Sequence, residues 1–352
     1  MQVGIVGLSL SGKTTFFQVM TGSKNVSQGK SSQAIVKIPD NRVDYLSSVF
    51  NPRKTTYASL EAIDIPGLIP GGQKTSSGFL QAVRDSDLLV HVIRAFENPE
   101  VPYLDAELNP MGDLEHLSYE LLLADLDQIE KRIERMHSGK AKKQNEQELG
   151  LLERLKDALE HEKPLSTVSM SDEEEILTRN YQFLTAKPCI VVVNIDEKNL
   201  ETMDYPRRKE LEEYCRERGI PVQVLSARIE QELSELQGDD RALFLEELGI
   251  KEPGLQVLTR LVYERLGLIS FFTVGEDEVK AWTIEKGTPA RKAAGKIHSD
   301  IERGFIRAEV ISYESFCAAG SMNNAKNEGT LRLEGKEYVV QDGEIVHFRF
   351  NI

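Results

Sequence analysis

The sequence predicts an α/β fold with a mostly parallel sheet, and three observations lead to this prediction. A short apolar strand at residues 3–6 runs through a glycine-bounded loop into a helical pattern. Dense apolar runs at 87–94 and 187–195 are typical of strands that a parallel sheet buries on both faces. From about residue 269, short strand-like segments alternate with one helix, which predicts a second, smaller domain.

The first motif is Gly7-x-x-x-x-Gly12-Lys13-Thr14, placed between the first strand and the first helix. This order predicts a phosphate-binding P-loop, in which backbone N–H groups and the helix N-terminus surround a polyphosphate. We expect Lys13 to reach the β- and γ-phosphates and the Thr14 hydroxyl to bind Mg²⁺. The predicted nucleotide-binding residues of the loop are Gly7, Ser9, Leu10, Ser11, Gly12, Lys13, Thr14 and Thr15.

Composition limits what this loop can belong to. The 352 residues include 43 Lys plus Arg and 57 Asp plus Glu, a net charge of −14, which argues against general coating of nucleic acid. Cys189, Cys215 and Cys317 have neither metal nor redox spacing and predict reduced thiols. No apolar run approaches a membrane span, and no signal peptide is predicted. We therefore expect a mostly monomeric, cytoplasmic protein with no membrane contact.

A polar segment at 21–33 lies between the P-loop helix and the next predicted strand. Nucleotide switches keep a loop at this position that the γ-phosphate and its metal order, and Ser31 or Ser32 offers a hydroxyl for that metal. A surface loop without ligands fits the composition equally well. Both interpretations stay open.

A second motif, Asp64-x-x-Gly67, ends an alternating strand about fifty residues after the P-loop. We expect Asp64 to hold the Mg²⁺ through a water and the Gly67 N–H to meet the γ-phosphate. Leu68 stands where signalling GTPases carry a glutamine that orients the attacking water, so hydrolysis cannot use that device. Lys13, Gly67 and Leu68 are the predicted catalytic positions.

The segment 113–163 is strongly charged and has helical periodicity. Apolar residues recur at four-three spacing at Leu122, Leu126, Ile129, Ile133 and Met136, and again at Leu152, Leu155 and Leu159. This spacing predicts an inserted antiparallel coiled-coil arm of two helices. The turn between them carries Lys140, Lys142 and Lys143, which either contact ribosomal RNA or form part of a solvated surface.

The apolar run at 187–193 ends in Asn194-Ile-Asp-Glu197, where GTPases place N-K-x-D. The lysine is absent, and Glu197 is one methylene longer than the aspartate that accepts two hydrogen bonds from guanine. Loss of such a paired contact relaxes the demand for guanine and favours adenine or weak base selectivity. Further on, Ser226-Ala227-Arg228 matches the turn that contacts the base through its backbone.

The order of these motifs resembles the Obg-like, YchF-type P-loop ATPases. Further similar stretches are residues 94–98, 124–127, 281–284, 294–300 and 304–308. The resemblance covers essentially the whole chain, and it implies an enzyme that hydrolyses ATP, often GTP more poorly, and that associates with ribosomes. Leu68 matches the hydrophobic residue that this family has in place of the catalytic glutamine.

Three departures from the family pattern concern the nucleotide site. The P-loop of the family usually contains Pro-Asn-Val where this chain has Ser-Leu-Ser at 9–11. The first switch of the family contains a Phe-Cys-Thr-like segment, which the segment 21–33 of this chain lacks. The histidine that the family brings toward the nucleotide falls at Tyr103. Nucleotide binding follows from the motifs, whereas the turnover rate and the contact of a first-switch threonine with Mg²⁺ do not.

The last third of the chain has the alternation of a β-grasp fold and resembles the TGS domain that ends this family, a domain associated with RNA and regulatory binding. Predicted strands lie at 271–274, 281–284, 306–311, 338–340 and 346–351, and a predicted helix at 289–303. Lys292, Lys296, Arg303 and Arg307 form either a phosphate-facing surface or a solvated helix face. The predicted domains are a nucleotide domain at 1–112 and 164–268, the arm at 113–163 and the TGS domain at 269–352.

Three functional hypotheses follow. The first is a Mg²⁺-dependent ATPase switch that uses ATP and, more poorly, GTP, and whose γ-phosphate controls affinity for the ribosome or RNA. The second is a nucleotide-gated binding module that scarcely hydrolyses, which the tyrosine at position 103 favours. The third is a GTP-binding translation-associated factor, which would bind GTP far more tightly than ATP.

Overall fold

A computed structural model describes residues 1–23, 32–68, 77–99, 101, 103, 107–138 and 146–351. These residues divide into two compact units. The first consists of Met1–Ile35 and Glu61–Leu261, and the second of Val36–Leu60 and Val262–Ile352. None of the helices in the described ranges is long and apolar enough to cross a bilayer.

Twelve strands are present in the described residues. They are β1 (Gln2–Val6), β2 (Ser32–Lys37), β3 (Lys54–Thr56), β4 (Ser59–Asp64), β5 (Leu88–Ala95), β6 (Cys189–Ile195), β7 (Val222–Leu225), β8 (Leu268–Thr273), β9 (Glu278–Glu285), β10 (Phe305–Ser312), β11 (Arg332–Glu334) and β12 (Glu344–Phe350).

The α-helices of the described residues lie between these strands. They are α1 (Lys13–Thr21), α2 (Asn41–Phe50), α3 (Ser77–Asp85), α4 (Pro110–Ser138), α5 (Glu146–Glu160), α6 (Asp172–Thr178), α7 (Arg208–Glu217), α8 (Ala227–Glu235), α9 (Gly238–Glu247), α10 (Gly254–Arg265), α11 (Ala290–Ile297), α12 (Ser299–Arg303), α13 (Tyr313–Ala319) and α14 (Met322–Asn327).

The first sheet has the strand order β2-β4-β1-β5-β6-β7. Strand β1 pairs in parallel with β4 and β5, β5 with β6, and β6 with β7. Every residue of β5 is buried, as expected of a central strand that helices cover on both faces. The predicted α/β fold with a mostly parallel sheet is therefore confirmed. Because parallel strands end at the same edge, the segments that follow β1, β4, β5 and β6 lie close together.

Helices α4 and α5 account for the periodic segment. Leu122, Ile129 and Met136 of α4 are buried with Leu152, Leu155 and Leu159 of α5 in one apolar cluster. Leu126 and Ile133 pack against that cluster but stay partly exposed. Helix α4 begins at Pro110, slightly before the predicted start, and Lys140, Lys142 and Lys143 lie outside the described residues. The coiled-coil arm and its contact with RNA stay predictions.

The second sheet has the order β11-β10-β12-β8-β9-β3. The pairs β10–β11, β10–β12 and β8–β9 are antiparallel, whereas β12–β8 and β3–β9 are parallel. Helix α11 covers this sheet with three fully buried alanines, Ala290, Ala293 and Ala294, in a cluster that contains Phe271 and Val346.

Two details of the predicted C-terminal third are wrong. The single predicted helix at 289–303 is divided, because His298 has an extended backbone and its ring accepts a hydrogen bond from the Asp300 N–H, which starts α12. The predicted strand at 338–340 forms only an isolated bridge between Pro289 and Val339. The Tyr338 hydroxyl is instead held by the carboxylate of Glu344, at 2.6 Å.

The segment 36–60 lies in the second unit, whereas the predicted boundaries assign it to the nucleotide domain. Strand β3 pairs with β9, and the Phe50 ring of α2 stacks on Phe316 with ring centroids 5.5 Å apart. Arg42 adds an ion pair to Asp342 at 2.7 Å. The segment 36–60 therefore belongs to the second unit because of its aromatic stacking and strand pairing with the C-terminal third, although its neighbours in sequence lie in the first unit.

Candidate functional site

The P-loop lies where β1 ends and α1 begins, as the motif predicts. Gly12 precedes α1 with a left-handed backbone (φ 89°), a conformation that glycine adopts without strain. A Cβ atom at Gly12 would also lie 2.4 Å from the Asn194 side-chain nitrogen. Both the backbone angle and the crowding therefore require glycine at this position.

Lys13 is buried at the centre of this loop. Its side chain is only 6% exposed, and Nζ donates a hydrogen bond to the Leu8 carbonyl at 2.7 Å. Burial lowers the pKa of Lys13 to about 8, while the negative charge of Asp64 opposes that shift. The ammonium is thus held in place and weakly hydrated, which suits it for binding phosphate oxygens.

Thr14 and Asp64 face each other beside Lys13. The Thr14 hydroxyl donates to an Asp64 carboxylate oxygen at 3.0 Å, so the two predicted metal-binding groups are adjacent. Burial raises the pKa of Asp64, and the Thr14 hydrogen bond and the Lys13 charge oppose this rise. Among the described residues, no group of three or more His, Cys, Asp or Glu side chains is placed to hold a metal. A hydroxyl and a carboxylate fit Mg²⁺ that takes its other ligands from phosphates and water.

Gly67 and Leu68 close the other side of the P-loop. A Cβ atom at Gly67 would lie 2.7 Å from Lys13 Nζ and 2.9 Å from the Ser9 Cα, so only glycine fits. The Ser9 N–H donates to the Leu68 carbonyl at 2.8 Å, and the Leu68 N–H donates to the Gly7 carbonyl at 3.2 Å. The Leu68 side chain is buried in a core cluster with Leu8. Leu68 therefore joins the two loops through its backbone, and its side chain is directed into the core.

The remaining P-loop residues differ in exposure. Leu10 has a left-handed backbone (φ 66°) and a side chain that is 47% exposed on the cavity described below. Ser11 is buried, and its carbonyl accepts a hydrogen bond from the Asn194 amide at 3.2 Å. Thr15 lines the same cavity.

Asn194 connects the P-loop to the turn after β7. Its amide nitrogen donates to the Ser11 carbonyl, and its amide oxygen accepts from the Ala227 N–H at 2.9 Å. Ser226 and Ala227 are both buried at the start of α8. Asn194 thus acts here by holding two nucleotide-facing segments together.

Glu197 is paired with the last residue of the predicted base-contact turn. Arg228, the residue after the Ser226-Ala227 pair, places Nε 2.7 Å from a Glu197 carboxylate oxygen. Both side chains are largely solvent-exposed. The predicted turn contacts the base through its backbone, so the sequence pattern predicts no role for the Arg228 side chain.

These segments enclose a cavity of about 490 Å³, here called the nucleotide cavity. Its lining contains most of the predicted side chains and Arg228, together with Phe96 and Gln231, which the sequence analysis did not name as site residues. We call the side at Lys13 and Thr14 the phosphate end, and the side at Glu197 and Arg228 the base end. The Arg94 guanidinium carbon lies 4.6 Å from the centroid of the Phe96 ring, a cation–π contact that helps to fix the ring in place.

Tyr103, the predicted position of the family's histidine, belongs to a hydrogen-bonded cluster. Its hydroxyl donates to Asp113 at 2.6 Å and accepts from the Asn109 N–H at 3.1 Å. The Arg94 guanidinium lies 5.4 Å from its ring centroid. Tyr103 is not among the described residues that line the nucleotide cavity.

Two family models match the chain. One, for a "50S ribosome-binding GTPase" (MMR_HSR1), matches residues 2–147. The other, YchF-GTPase_C, is described as "Protein of unknown function (DUF933)" and matches residues 268–351. Together they include the P-loop, the Asp64 motif and nearly all of the C-terminal third.

Individual relatives match over nearly the whole length. The chain is 41% identical to the "Ribosome-binding ATPase YchF" of Bacillus subtilis, with 99% of each chain covered, and 37% identical to the protein of that name from Escherichia coli O157:H7, again with 99% of each covered. The solved YchF GTPase of Schizosaccharomyces pombe is 29% identical with a TM-score of 0.88, over 99% of this chain and 97% of that one. A GTP-binding protein of Pyrococcus horikoshii, 20% identical with a TM-score of 0.56 over all of both chains, shares the fold. By its motifs, its nucleotide cavity and these full-length matches, the chain belongs to the YchF family of P-loop NTPases.

Proposed function

We propose that this protein binds and slowly hydrolyses ATP, and GTP less well, in a Mg²⁺-dependent reaction. One observation carries the proposal: buried Lys13 and Thr14 line one end of a cavity of about 490 Å³, and next to them lie Asp64, which accepts a hydrogen bond from Thr14, and Gly67, which packs against Lys13. A buried cation beside a hydroxyl–carboxylate pair is the arrangement that phosphoryl transfer requires. The curated relatives named "Ribosome-binding ATPase" support the same activity.

The proposed roles follow from this geometry. The N–H groups of the P-loop and of α1 receive the phosphates, and Lys13 neutralises charge on the β- and γ-phosphates during attack by water. Thr14 and Asp64 would hold Mg²⁺, which supplies charge neutralisation across the phosphates. Because Gly67 has no side chain, its backbone packs directly against Lys13, and we infer that its N–H meets the γ-phosphate.

Slow turnover is part of the proposal, because two usual devices for activating water are missing. The residue after Gly67 is Leu68, whose side chain is buried and has no polar group. The Tyr103 hydroxyl is engaged by Asp113 and Asn109 rather than directed at the phosphates. Water is then positioned by backbone groups and by the ligand itself, which gives little general-base assistance.

Weak selection of the base is also part of the proposal. Glu197 is longer than the aspartate of N-K-x-D, and its carboxylate is already shared with Arg228. Guanine therefore cannot take both carboxylate oxygens without displacing that ion pair, so the base end does not strongly prefer it. We infer that ATP and GTP both bind, with ATP preferred.

We further infer that the bound nucleotide controls association with the ribosome in the cytoplasm. The two bacterial relatives described above are both named as ribosome-binding ATPases. The loop at Gly67 contacts the P-loop through its backbone, so a γ-phosphate placed there would alter that contact directly. The lysine-rich segment at 140–143, which lies outside the described residues, and the C-terminal TGS-like domain are the proposed contact regions.

A second candidate is a nucleotide-gated binding module with little hydrolysis, which the hydrogen bonds of Tyr103 favour. Release of phosphate from ATP and GTP at steady state, with Lys13→Ala as reference, separates the two. Turnover that depends on Lys13 supports the enzyme. Tight binding of both nucleotides without such turnover supports the module, and GTP binding far tighter than ATP would support a translation-associated GTPase.

The Mg²⁺ site has its own test. Replacing Thr14 by the isosteric valine removes the hydroxyl, and we expect the Mg²⁺ concentration for half-maximal nucleotide binding to rise by about tenfold. Thr14→Ser keeps the hydroxyl and serves as the matched control. An unchanged Mg²⁺ requirement in Thr14→Val would exclude Thr14 as a ligand.

A further inference from the structure

A second cavity, of about 530 Å³, lies in the first unit on one face of the parallel sheet. We call it the His91 cavity. Strands β5 and β6, helix α4 and the region of α7 contribute to its wall. Among the described residues it shares no lining side chain with the nucleotide cavity. Its volume lies within the range of small-molecule sites, about 300–1,000 Å³.

His91 is the unusual group in its wall. It lies in the middle of β5 with only 5% of its surface exposed. Within the described part of the chain, neither ring nitrogen has a hydrogen-bond partner. Burial lowers the pKa of His91 to about 4, so at neutral pH one nitrogen is a donor and the other an acceptor. Buried polar groups in native proteins are normally satisfied, so this pair requires an explanation.

Most of the remaining wall is apolar. Leu89 is on the same face of β5 as His91, and the other apolar contributions come from Leu114, Leu121, Leu122, Leu184 and Ile220. This wall favours a ligand that is largely hydrocarbon.

Several charged groups at the cavity are engaged elsewhere. The Lys187 ammonium donates to the backbone carbonyls of Arg84 and Ser86, at 2.8 and 2.6 Å. The Glu162 carboxylate accepts a hydrogen bond from the Tyr119 hydroxyl at 2.5 Å. Arg218 also lines the cavity; its guanidinium lies against the Tyr214 ring and bonds to the Tyr214 carbonyl, and its Nε has no partner among the described residues. A charged ligand that used Lys187 or Glu162 would have to compete with their bonds while losing its own hydration, so we expect an uncharged ligand.

We propose that the His91 cavity binds a small, uncharged, mainly apolar molecule whose hydroxyl group hydrogen-bonds to the His91 ring. A hydroxyl fits either ring nitrogen, because it can donate to the one and accept from the other. The hydrocarbon part of the molecule lies against the leucines of α4 and β5. The site is separate from nucleotide binding and does not depend on the proposed ATPase activity.

The probes are 4-ethylphenol and, as its matched partner without the hydroxyl, ethylbenzene. Both are titrated into the full-length chain with ¹⁵N-labelled histidine, in saturating ADP so that the nucleotide cavity cannot take up the aromatic ring. We expect a saturable shift of the His91 ring nitrogens with 4-ethylphenol, and about fivefold weaker binding of ethylbenzene. Absence of a saturable His91 shift would overturn the proposal.

Two variants test the location. Ser118 lines the cavity from α4 and is partly exposed, so Ser118→Trp fills the space without removing a core side chain. We expect this variant to lose binding of both probes and Ser118→Ala to keep it, with melting curves confirming that both fold. Retained binding in Ser118→Trp would place the probes elsewhere and contradict the proposal.

His91→Phe then tests the hydrogen bond, since it keeps an aromatic ring but has no ring nitrogen. We expect the preference for 4-ethylphenol over ethylbenzene to fall to about one. A preference that persists in His91→Phe would show that another group binds the hydroxyl and would refute the assigned role of His91. Should His91→Phe fail to fold, the shift in the wild-type chain and the Ser118 pair still decide the proposal.

Discussion

The charged groups at and beside the phosphate end of the nucleotide cavity, Lys13 and Asp64, are buried and hydrogen-bonded, whereas those at the base end, Glu197 and Arg228, are exposed. Lys13 is 6% exposed and bonded to a carbonyl of its own loop, but the Arg228 side chain that holds Glu197 is 75% exposed. Buried groups in fixed positions need no rearrangement when a phosphate arrives. Exposed ion pairs contribute little stability and are readily remodelled. The comparison indicates that phosphate binding is built into the fold, while the choice of base depends on a few surface side chains.

The largest expected effect is at the phosphate end. Lys13→Ala removes the only ammonium among the described residues that line the nucleotide cavity, and we expect steady-state turnover of ATP and GTP to fall by at least about 100-fold. The loss should be equal for the two nucleotides, because the base is not involved.

Lys198→Ala is the matched control for this variant. Lys198 is exposed and paired with Glu97, so its removal should leave turnover unchanged. A loss in Lys13→Ala that differs strongly between ATP and GTP would contradict the separation of the two ends.

The next largest effect is a pH dependence of nucleotide affinity, which we expect to arise from Lys13 at the phosphate end alone. Burial lowers the pKa of Lys13 to about 8 in the free protein, and a bound triphosphate raises it because the phosphates favour the ammonium. Binding therefore requires proton uptake above pH 8, and affinity is lost as pH rises. We expect the Kd for ATP to increase by about tenfold between pH 7.5 and 9, as measured by calorimetry.

The ratio of the ATP and GTP Kd values should stay constant over this pH range, since Lys13 does not contact the base. An affinity that stays level up to pH 9 would mean that Lys13 keeps its proton in the free protein. A changing ratio would mean that the base end titrates as well.

At the base end, a one-methylene change should alter selectivity. Glu197→Asp restores the aspartate of N-K-x-D and shortens the reach to Arg228. We expect the GTP-to-ATP affinity ratio to rise by about tenfold, because the freed carboxylate can accept two hydrogen bonds from guanine. Turnover at saturating nucleotide should change little.

Glu232→Asp makes the same chemical change in the other carboxylate near Arg228, whose oxygen lies 3.5 Å from the Arg228 Nε. Glu232 is not among the described residues that line the nucleotide cavity, so this control should leave the ratio unchanged. Equal shifts in both variants would show that Arg228, rather than Glu197, sets the preference.

The smallest expected effect concerns the strained leucine in the P-loop. Leu10 has a positive φ of 66°, which asparagine tolerates better than leucine. We expect Leu10→Asn to stabilise the nucleotide-free protein by about 1 kcal/mol, visible as a rise in Tm of a few degrees. Leu10→Ala keeps a residue that disfavours this backbone, and a gain as large in that variant would exclude relief of strain as the cause.

The same contrast explains which parts of the site the sequence predicts. Gly12, Lys13 and Thr14 have positions that the loop backbone dictates, so their letters alone predict phosphate binding. The pairing of Arg228 with Glu197 depends on how α8 is placed beside the end of β6, which no short pattern encodes. His91 lies in an apolar run whose pattern predicts only a buried strand. The sequence therefore does not indicate that its two ring nitrogens have no hydrogen-bond partner among the described residues.

Local sequence patterns predict a strand or helix correctly where its own periodicity stabilises it. They fail where pairing with a distant segment determines the structure. The apolar runs of β5 and β6 predict central strands, and both are found there. Strand β3 has only three residues, and its place in the second sheet comes from pairing with β9. The predicted strand at 338–340 has suitable residues, but side-chain bonds to Glu344 hold that segment instead.

The pairing of β3 with β9 also bears on the order in which the protein can be assembled during synthesis. Thr56 bonds to Glu278, a residue that emerges 222 positions later. Helix α2 and β3 therefore leave the exit tunnel long before their apolar partners exist, and Phe50 stays uncovered until Phe316 has been made. Completion of this unit must therefore wait until the segment after residue 261 has been made, and a nascent chain arrested at that point should be a client for chaperones that bind exposed aromatic segments.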